Sequence, residues 1–288
     1  MSDNPSPAPG AFFALPDHRL LMLRGRDCVA FAQAQFMNDV AALTPGHWQW
    51  SGWLTPKGRL IALFALVLLD DESACLVLPD ADPAQLVAQL QRYVFRSRVT
   101  LTVPNDLFVS GAFEPAPAPG NGIAATARDE FSLDFASEAS PRTLRVGHAS
   151  APQDATACSR WRAIDLASGL PRLSDAQSGQ WTPQHLSLDR LRAYSVKKGC
   201  YPGQEIVART HFLGQAKRGL VLFDADAPVA EGAEVHAEGR SIGTVVSCAS
   251  SISGRQLLAV LPLIRDDTEL TADGTTLREQ PLAEGLSR

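Results

Sequence analysis

The sequence lacks paired cysteines and long apolar runs. Its five cysteines lie far apart with no CxxC spacing, and an odd number leaves one thiol unpaired in a monomer, which favours a reducing compartment. The longest apolar run, Leu60 to Leu69, is ten residues long, too short for a membrane-spanning helix. The first ten residues carry neither basic residues nor an apolar signal core. We therefore expect a cytoplasmic protein without membrane contact.

Several catalytic and cofactor motifs are also missing. There is no Walker A sequence and no GxGxxG, so nucleotide binding through those loops is not predicted. The six histidines show neither HExxH nor paired ligand spacing, which predicts no histidine-rich metal site. A GxSxG match at Gly239 to Gly243 precedes a β-type run, and no histidine follows His236. A hairpin therefore explains this match better than a nucleophile elbow.

The composition is that of a globular protein with a sizeable core. The chain has 288 residues, 45% of them hydrophobic, and a net charge of −5, which excludes a disordered polyelectrolyte and a plainly basic nucleic-acid binder. A basic island at 197–218 carries five lysines and arginines against one glutamate. It predicts contact with an anionic ligand or RNA, and a solvated connector explains it equally well.

The first hundred residues show strand and helix patterns in alternation. A short apolar strand at Leu20 to Leu23 precedes a helix for which Asp27 is the expected N-cap. A three-stranded meander is predicted from Trp48 to Leu78. Asp82-Pro83 then begins a second helix, and Arg98 to Val103 forms a further strand. This order predicts an α+β arrangement of the split βαβ kind.

The rest of the chain divides into a weakly patterned part and a strand-rich part. Residues 121–150 give only weak strand signals, around Phe131 to Phe135 and Thr143 to Val146, and Arg160 to Leu166 is predicted to be helical. From Leu220 onward, short strands separated by glycines predict a small β-barrel. We expect a flexible tail at 1–14, a main domain of two subdomains at 15–217, and a C-terminal barrel domain at 218–288.

The segment from Lys197 to Arg209 is the most informative for chemistry. Cys200 lies between Gly199 and Gly203 and follows two lysines. Glycines permit backbone conformations that other residues rarely adopt, and nearby positive charge favours the reactive thiolate. An isolated cysteine is more often an inert packing residue, but this setting favours a functional thiol at Cys200.

Three blocks of sequence resemble one family. The stretch KGCYPGQE at 198–205 resembles the signature of the YgfZ-type folate-binding proteins, which are related to the aminomethyltransferases (T-proteins) of the glycine cleavage system. QFMNDV at 35–40 with GWLTPKGR at 52–59 is similar to the N-terminal block of that family. WRAIDLASGLP at 161–171 with WTPQ at 181–184 is similar to the block before the cysteine motif.

The resemblance implies ferredoxin-like subdomains around a central channel that holds tetrahydrofolate, with Cys200 facing the channel. It implies a role in assembly or repair of iron–sulfur clusters, which supports tRNA modification by methylthiotransferases; these enzymes, folate and weakly bound tRNA are the expected partners. Trp161 and His18 fall at folate-contacting positions, and Cys200 is the expected reactive thiol or transient cluster ligand. The remaining motif residues raise the local positive potential, shape the loop or position it: Lys198, Arg209, Gly199, Gly203, Tyr201, Gln204 and Glu205.

Two departures bear on catalysis. Ala62 and Leu63 stand where the aminomethyltransferases carry an acidic pair, and Ala167-Ser168-Gly169 replaces a common Glu-Ala-Gly. Without an acidic group at the folate nitrogen, one-carbon transfer by that mechanism is not expected. The sequence therefore favours an accessory factor over an enzyme. A folate-dependent aminomethyl or one-carbon transferase is the alternative, and a direct tRNA-binding module is a third hypothesis.

Overall fold

A computed structural model describes residues 11–213, 216–251 and 254–288. Within these ranges the chain forms four α-helices and sixteen strands. In chain order they are β1 (Phe13–Ala14), β2 (Arg19–Arg24), α1 (Cys28–Gln35), β3 (His47–Leu54), β4 (Leu60–Asp70), β5 (Ser73–Leu78), α2 (Pro83–Leu90), β6 (Thr100–Thr102), β7 (Phe108–Ala112), β8 (Ile123–Ala127), β9 (Glu130–Asp134), β10 (Thr143–Gly147), α3 (Ala155–Ala167), α4 (Gln204–Leu213), β11 (Arg218–Ala225), β12 (Glu234–Ala237), β13 (Arg240–Ser251), β14 (Gly254–Pro262), β15 (Leu270–Ala272) and β16 (Thr275–Gln280).

The first sheet has the order β3-β4-β5-β2-β6 and contains the predicted meander. Strand β4, the second strand of this sheet, is apolar from Leu60 to Leu69 because both faces of the sheet are covered. Leu63, Ala65 and Val67 face the main core of the protein. Phe64 and Leu66 belong to a second core on the opposite face. A strand buried on both sides has no polar face, so it shows no alternation.

The second sheet has the order β1-β7-β10-β9-β8. Residues 121–150, the least patterned part of the sequence, supply three of its five strands. These strands are only five residues long, and each carries at most two large apolar residues, so they give weak hydrophobic signals. Phe13 and Ala14, placed in the tail from the sequence, pair with Gly111 and Ser110. Residues 1–10 of that tail lie outside the described residues.

The helices differ from expectation at their ends. Asp27 makes no side-chain cap to α1; its Oδ2 accepts the Arg98 amide at 2.7 Å instead. Asp82 caps α2 as predicted, accepting the Ala84 amide at 2.8 Å. Helix α3 begins at Ala155 rather than Arg160, because Asp154 caps it by accepting the Ala157 amide. Helix α4 was not predicted.

The six strands from β11 to β16 close the predicted C-terminal barrel. Strands β12 and β13 form a hairpin that includes Gly239 and Gly243, which confirms the hairpin explanation of the GxSxG match. The barrel ends at Gln280, and the following residues return to the main domain. Leu286 is buried there, and its carbonyl accepts Trp50 Nε1 at 2.9 Å. Among the described residues, no helix is both long and apolar enough to cross a membrane.

Candidate functional site

The cysteine motif lies on the loop that leads into α4. Cys200 is exposed, Cys28 and Cys75 are buried, and Cys158 and Cys248 are half-buried. Burial raises the pKa of Cys28 to about 12 and that of Cys248 to about 12; it also raises the pKa of Cys75 and Cys158. Burial thus disfavours the thiolate form of these four cysteines. Cys200 is therefore the cysteine that is open to a reaction partner.

Lys198 fixes this loop to the end of α1. Its Nζ donates to the carbonyl oxygens of Gln33 at 2.6 Å, Phe36 at 2.6 Å and Asn38 at 2.9 Å. The side chain is buried, and burial lowers its pKa to about 8. An ammonium group has three donors, and all three are engaged by carbonyls. The structure thus gives Lys198 a positioning role, where the sequence suggested an electrostatic one.

Asn38, just after α1, makes further hydrogen bonds where the cysteine-motif loop meets the end of this helix. Its Nδ2 donates to the carbonyl oxygens of Trp50 at 2.8 Å and Arg192 at 2.7 Å, and its backbone amide donates to Ser51 Oγ at 3.2 Å. Asn38 belongs to the first of the resembling blocks, and Lys198 opens the cysteine motif. The blocks are distant in sequence, and the fold brings them into direct contact.

Two glycines bring the motif against the turn between β3 and β4. Gly203 has φ +79°, and a Cβ there would lie 2.6 Å from the Thr55 carbonyl oxygen and 2.7 Å from Gly58 Cα. Gly58 has φ +69°, and its Cβ would lie 2.8 Å from Ile206 Cβ. Only glycine permits both the left-handed backbone and this approach. A Cβ on Gly199, in contrast, would meet no atom within 4 Å.

The other motif residues divide into internal and exposed ones. Tyr201 is buried, and its hydroxyl donates to the Ser195 carbonyl at 3.1 Å. Gln204 Nε2 donates to the Lys198 carbonyl at 3.0 Å. Both side chains bind the backbone of their own loop. Glu205 and Arg209 are exposed on α4.

The two residues predicted to contact folate lie together. The rings of His18 and Trp161 meet edge to face, with centroids 6.4 Å apart and planes at 87°. Both side chains are buried. The Trp161 ring is enclosed by aromatic neighbours: Phe13, Phe113 and Phe135, with centroids 6.0, 6.1 and 6.0 Å away. It therefore lies inside an aromatic cluster and does not form an open channel wall.

Unpaired polar atoms gather around these rings. Both ring nitrogens of His18, Trp161 Nε1 and Arg142 Nη2 are buried without a hydrogen-bond partner in the described part of the chain. The Arg142 guanidinium lies over the Trp161 ring, 4.6 Å from its centroid. Burial, with Arg172 and Arg142 nearby, holds the pKa of His18 well below its usual range, so the ring is neutral. Buried polar groups without partners are uncommon and indicate a site for a ligand or water.

A buried ion network adjoins this cluster. Arg142 Nη1 donates to Asp165 Oδ1 at 2.6 Å, and Arg172 Nη1 donates to Asp165 Oδ2 at 3.1 Å. Arg172 Nε also donates to Asp80 at 2.9 Å. Burial raises the pKa of Asp80, although Arg172 opposes the shift. We did not predict these residues from the sequence. The signal available was a charged residue, Asp165, within the apolar part of a predicted helix.

A cavity of about 300 Å³ lies beside the network. Asp17 and Arg19, the sequence neighbours of His18, line it together with Asp80, Asp82, Arg162, Ser174 and Asp175. Cys200 and Trp161 line neither this cavity nor three smaller ones of about 50, 190 and 50 Å³. The expectation that the sulfur faces a pterin-sized hollow is thus not met by these four cavities. None of these four cavities joins the thiol to the aromatic cluster.

The acidic pair of the transferases has no structural replacement at its own position. Ala62 and Leu63 are buried in β4, one on each face of the sheet. Within the described ranges, no three histidine, cysteine, aspartate or glutamate side chains gather as metal ligands.

Comparison with known proteins assigns the fold first. The chain superposes on the glycine cleavage system aminomethyltransferase T from Bartonella henselae with a TM-score of 0.69 and 17% identity, covering 93% of this chain and 84% of that one. The fold is that of the aminomethyltransferases. No protein-family model matches the chain.

Two relatives show the same similarity at the level of sequence. The chain is 28% identical, over an alignment of 310 positions including gaps, to the tRNA-modifying protein YgfZ of Klebsiella pneumoniae (strain 342), covering 96% of this chain and 94% of the relative. It is 26% identical, over an alignment of 312 positions, to the protein of the same name from Escherichia coli O7:K1, with the same coverage. The resemblance to the YgfZ-type proteins is thus confirmed along nearly the whole chain.

Proposed function

We propose that the protein is a tetrahydrofolate-binding accessory factor for the assembly or repair of iron–sulfur clusters, acting in the cytoplasm. The pairing of His18 with Trp161, amid unpaired buried nitrogens, is the observation that carries the folate part. Its clients are iron–sulfur enzymes such as the tRNA methylthiotransferases, so its effect on tRNA modification is indirect. The name of the YgfZ relatives, tRNA-modifying protein, supports this link.

The donor set suits the amide-like edge of a pterin. Trp161 Nε1 and Arg142 Nη2 are unpaired donors, and a neutral His18 offers one donor and one acceptor. The adjoining cavity carries Arg19 and Arg162 together with four aspartates, and Arg162 is already paired with Glu231 at 3.1 Å, so the proposed folate contacts are those to the pterin end of the ligand and not to its glutamyl tail. When bound, tetrahydrofolate supplies a carrier for one-carbon units. The protein's own groups bind and orient the ligand and exclude water from the aromatic cluster.

Cys200 supplies the cluster-directed function. The thiol is exposed, and the loop that carries it is held by Lys198 and Gly203. A thiolate on a fixed loop binds a cluster iron transiently, or reacts with a sulfur-containing partner, without a large rearrangement. The iron–sulfur cluster is cargo in this proposal and is not a resident cofactor.

Tryptophan fluorescence tests the folate part. Titration with tetrahydrofolate is expected to quench the emission of the wild-type protein, and Trp161→Phe should remove that change. Trp53→Phe is the matched control, since Trp53 is also buried with an unpaired Nε1 but lies in the second core. Equal quenching in wild type and Trp161→Phe would contradict the assignment.

Complementation tests the thiol. Cys200→Ala should fold normally, because the side chain is exposed, and should fail to restore iron–sulfur enzyme activity in a strain that lacks the protein. Cys158→Ala, with a half-buried thiol, is the control and should restore it. Full complementation by Cys200→Ala would remove the proposed role of the sulfur.

The second candidate is a folate-dependent aminomethyl or one-carbon transferase, which the fold favours. Ala62 and Leu63 count against it, since neither offers a proton-accepting group. Formation of methylenetetrahydrofolate from an aminomethyl donor by the purified protein would establish this activity. No turnover above a heat-inactivated control would exclude it.

A further inference from the structure

We propose that the segment 91–98, between α2 and β6, binds unpaired RNA. It presents two aromatic rings and three arginines at the surface, and none of these residues belongs to the cysteine motif or to the aromatic cluster around Trp161. Phe95 is 79% exposed and Tyr93 is 45% exposed. Arg92, Arg96 and Arg98 are exposed beside them. We call this surface the 91–98 loop.

The loop lies in a stretch of sequence whose only charged side chains are positive. Residues 83–105 contain three arginines and no aspartate or glutamate, although the whole chain carries a net charge of −5. Asp27 is the carboxylate that contacts the loop, and its Oδ2 already accepts the Arg98 amide at 2.7 Å. The guanidinium groups therefore remain available to an anionic partner. Positive charge beside an exposed ring is the combination that binds a phosphate backbone and its bases.

The loop is held in a fixed shape. The Ser97 amide donates to the Val94 carbonyl at 2.9 Å, and half-buried Val94 packs against the second core. Tyr93 meets Trp53 edge to face at 6.2 Å. The outer ring, Phe95, is thus displayed by an ordered backbone, which reduces the entropy lost on binding.

At the tip of the 91–98 loop, Arg96 is stacked against the Phe95 ring. The Arg96 guanidinium lies 5.1 Å from the Phe95 ring centroid, and Arg96 has a left-handed backbone with φ +64°. An exposed aromatic face with a planar cation is a stacking platform for a base, and its contacts are tolerant of sequence. Unpaired RNA offers the free base faces that this platform requires, whereas a duplex does not.

A lipid surface fits the loop less well. Membrane-surface helices keep an apolar face free for the bilayer, but the apolar side chains of α2, Leu86 and Leu90, are buried in the second core. The exposed groups of the 91–98 loop are then two aromatic rings and three arginines. These groups suit stacking on bases and contact with phosphates better than insertion into a bilayer.

Fluorescence anisotropy with a labelled oligouridylate of roughly twelve nucleotides tests the proposal. The wild-type protein should bind at about 50 mM salt and weaken steeply as salt rises. Phe95→Ala should weaken binding about tenfold through loss of stacking. Arg92→Gln and Arg96→Gln should each lower the slope of log affinity against log salt by about 0.7. These side chains are exposed, so circular dichroism should show unchanged melting.

Matched controls come from the other basic surface. The control variants are Phe212→Ala and Arg209→Gln, both on α4, where Phe212 is 67% exposed. Neither change should alter the RNA affinity. Absence of binding at low salt would overturn the proposal. So would equal weakening by the control variants, which would place the RNA on the 197–218 island. Binding of the loop to anionic phospholipid vesicles, with RNA affinity unaffected by Phe95→Ala, would overturn it as well.

Discussion

Replacing Gly203 by alanine tests how the cysteine motif is positioned. The left-handed backbone at φ +79° costs a residue with a Cβ about 1–2 kcal/mol. The added Cβ would also lie 2.6 Å from the Thr55 carbonyl oxygen and 2.8 Å from the Gly58 amide nitrogen. Both are backbone atoms that move only with the whole β3–β4 turn, which adds about 1–3 kcal/mol. We expect the free energy of unfolding to fall by about 3 kcal/mol.

Gly199→Ala is the control from the same loop. A Cβ at this position meets no atom within 4 Å, so its effect should stay within about 0.5 kcal/mol. Urea unfolding followed by circular dichroism measures both variants at constant m-value. Equal losses in the two variants, or a loss below about 1 kcal/mol for Gly203→Ala, would refute the contact between the motif and the turn.

Three further changes test other parts of the structure. A water-soluble disulfide reagent should modify Cys200 first in the native protein, and early modification of a second thiol would contradict the burial of the others. Leu286→Ala should lower the free energy of unfolding by about 2–4 kcal/mol, because this side chain is only 2% exposed and lies in the main core. A loss below about 1 kcal/mol would contradict the packing of the residues beyond Gln280 against the main domain. The folded pKa of Lys198, about 8, lies below its ordinary value of 10.5, so the unfolded chain holds the proton more tightly between these values. Relative to Lys198→Gln, wild-type stability should therefore rise with pH across that window, and a fall would contradict the direction of the shift.

The first sheet was predictable because its signals are local. The run from Leu60 to Leu69 and the turn residues around it define β4 and its neighbours. The second sheet was indicated only weakly: faint strand signals coincide with β9 and β10, but β8 to β10 are short and each carries at most two large apolar residues. Their stability comes from pairing along the sheet, as in the register that joins Leu144 to Leu133 and Gly111. Such pairing leaves little trace in local composition.

The sequence identified residues of the candidate site, but it did not predict the role of each one. The sequence singled out Cys200, and the structure leaves that thiol exposed. The sequence also placed Lys198 beside the sulfur, but its ammonium group binds carbonyls 160 to 165 residues away in the chain. Proximity in sequence suggested an electrostatic role, whereas tertiary contacts give a positioning one. The ion network also required the folded structure, because Arg172 binds Asp80, 92 residues away, and Arg142 binds Asp165, 23 residues away.

Calorimetric titration with tetrahydrofolate tests the central claim most directly, because it separates the ligand site from the thiol. Wild type and Cys200→Ala should bind with the same affinity, and Trp161→Phe should bind about tenfold more weakly through loss of the indole N–H donor. Unchanged binding by Trp161→Phe, or loss of binding by Cys200→Ala, would contradict this account.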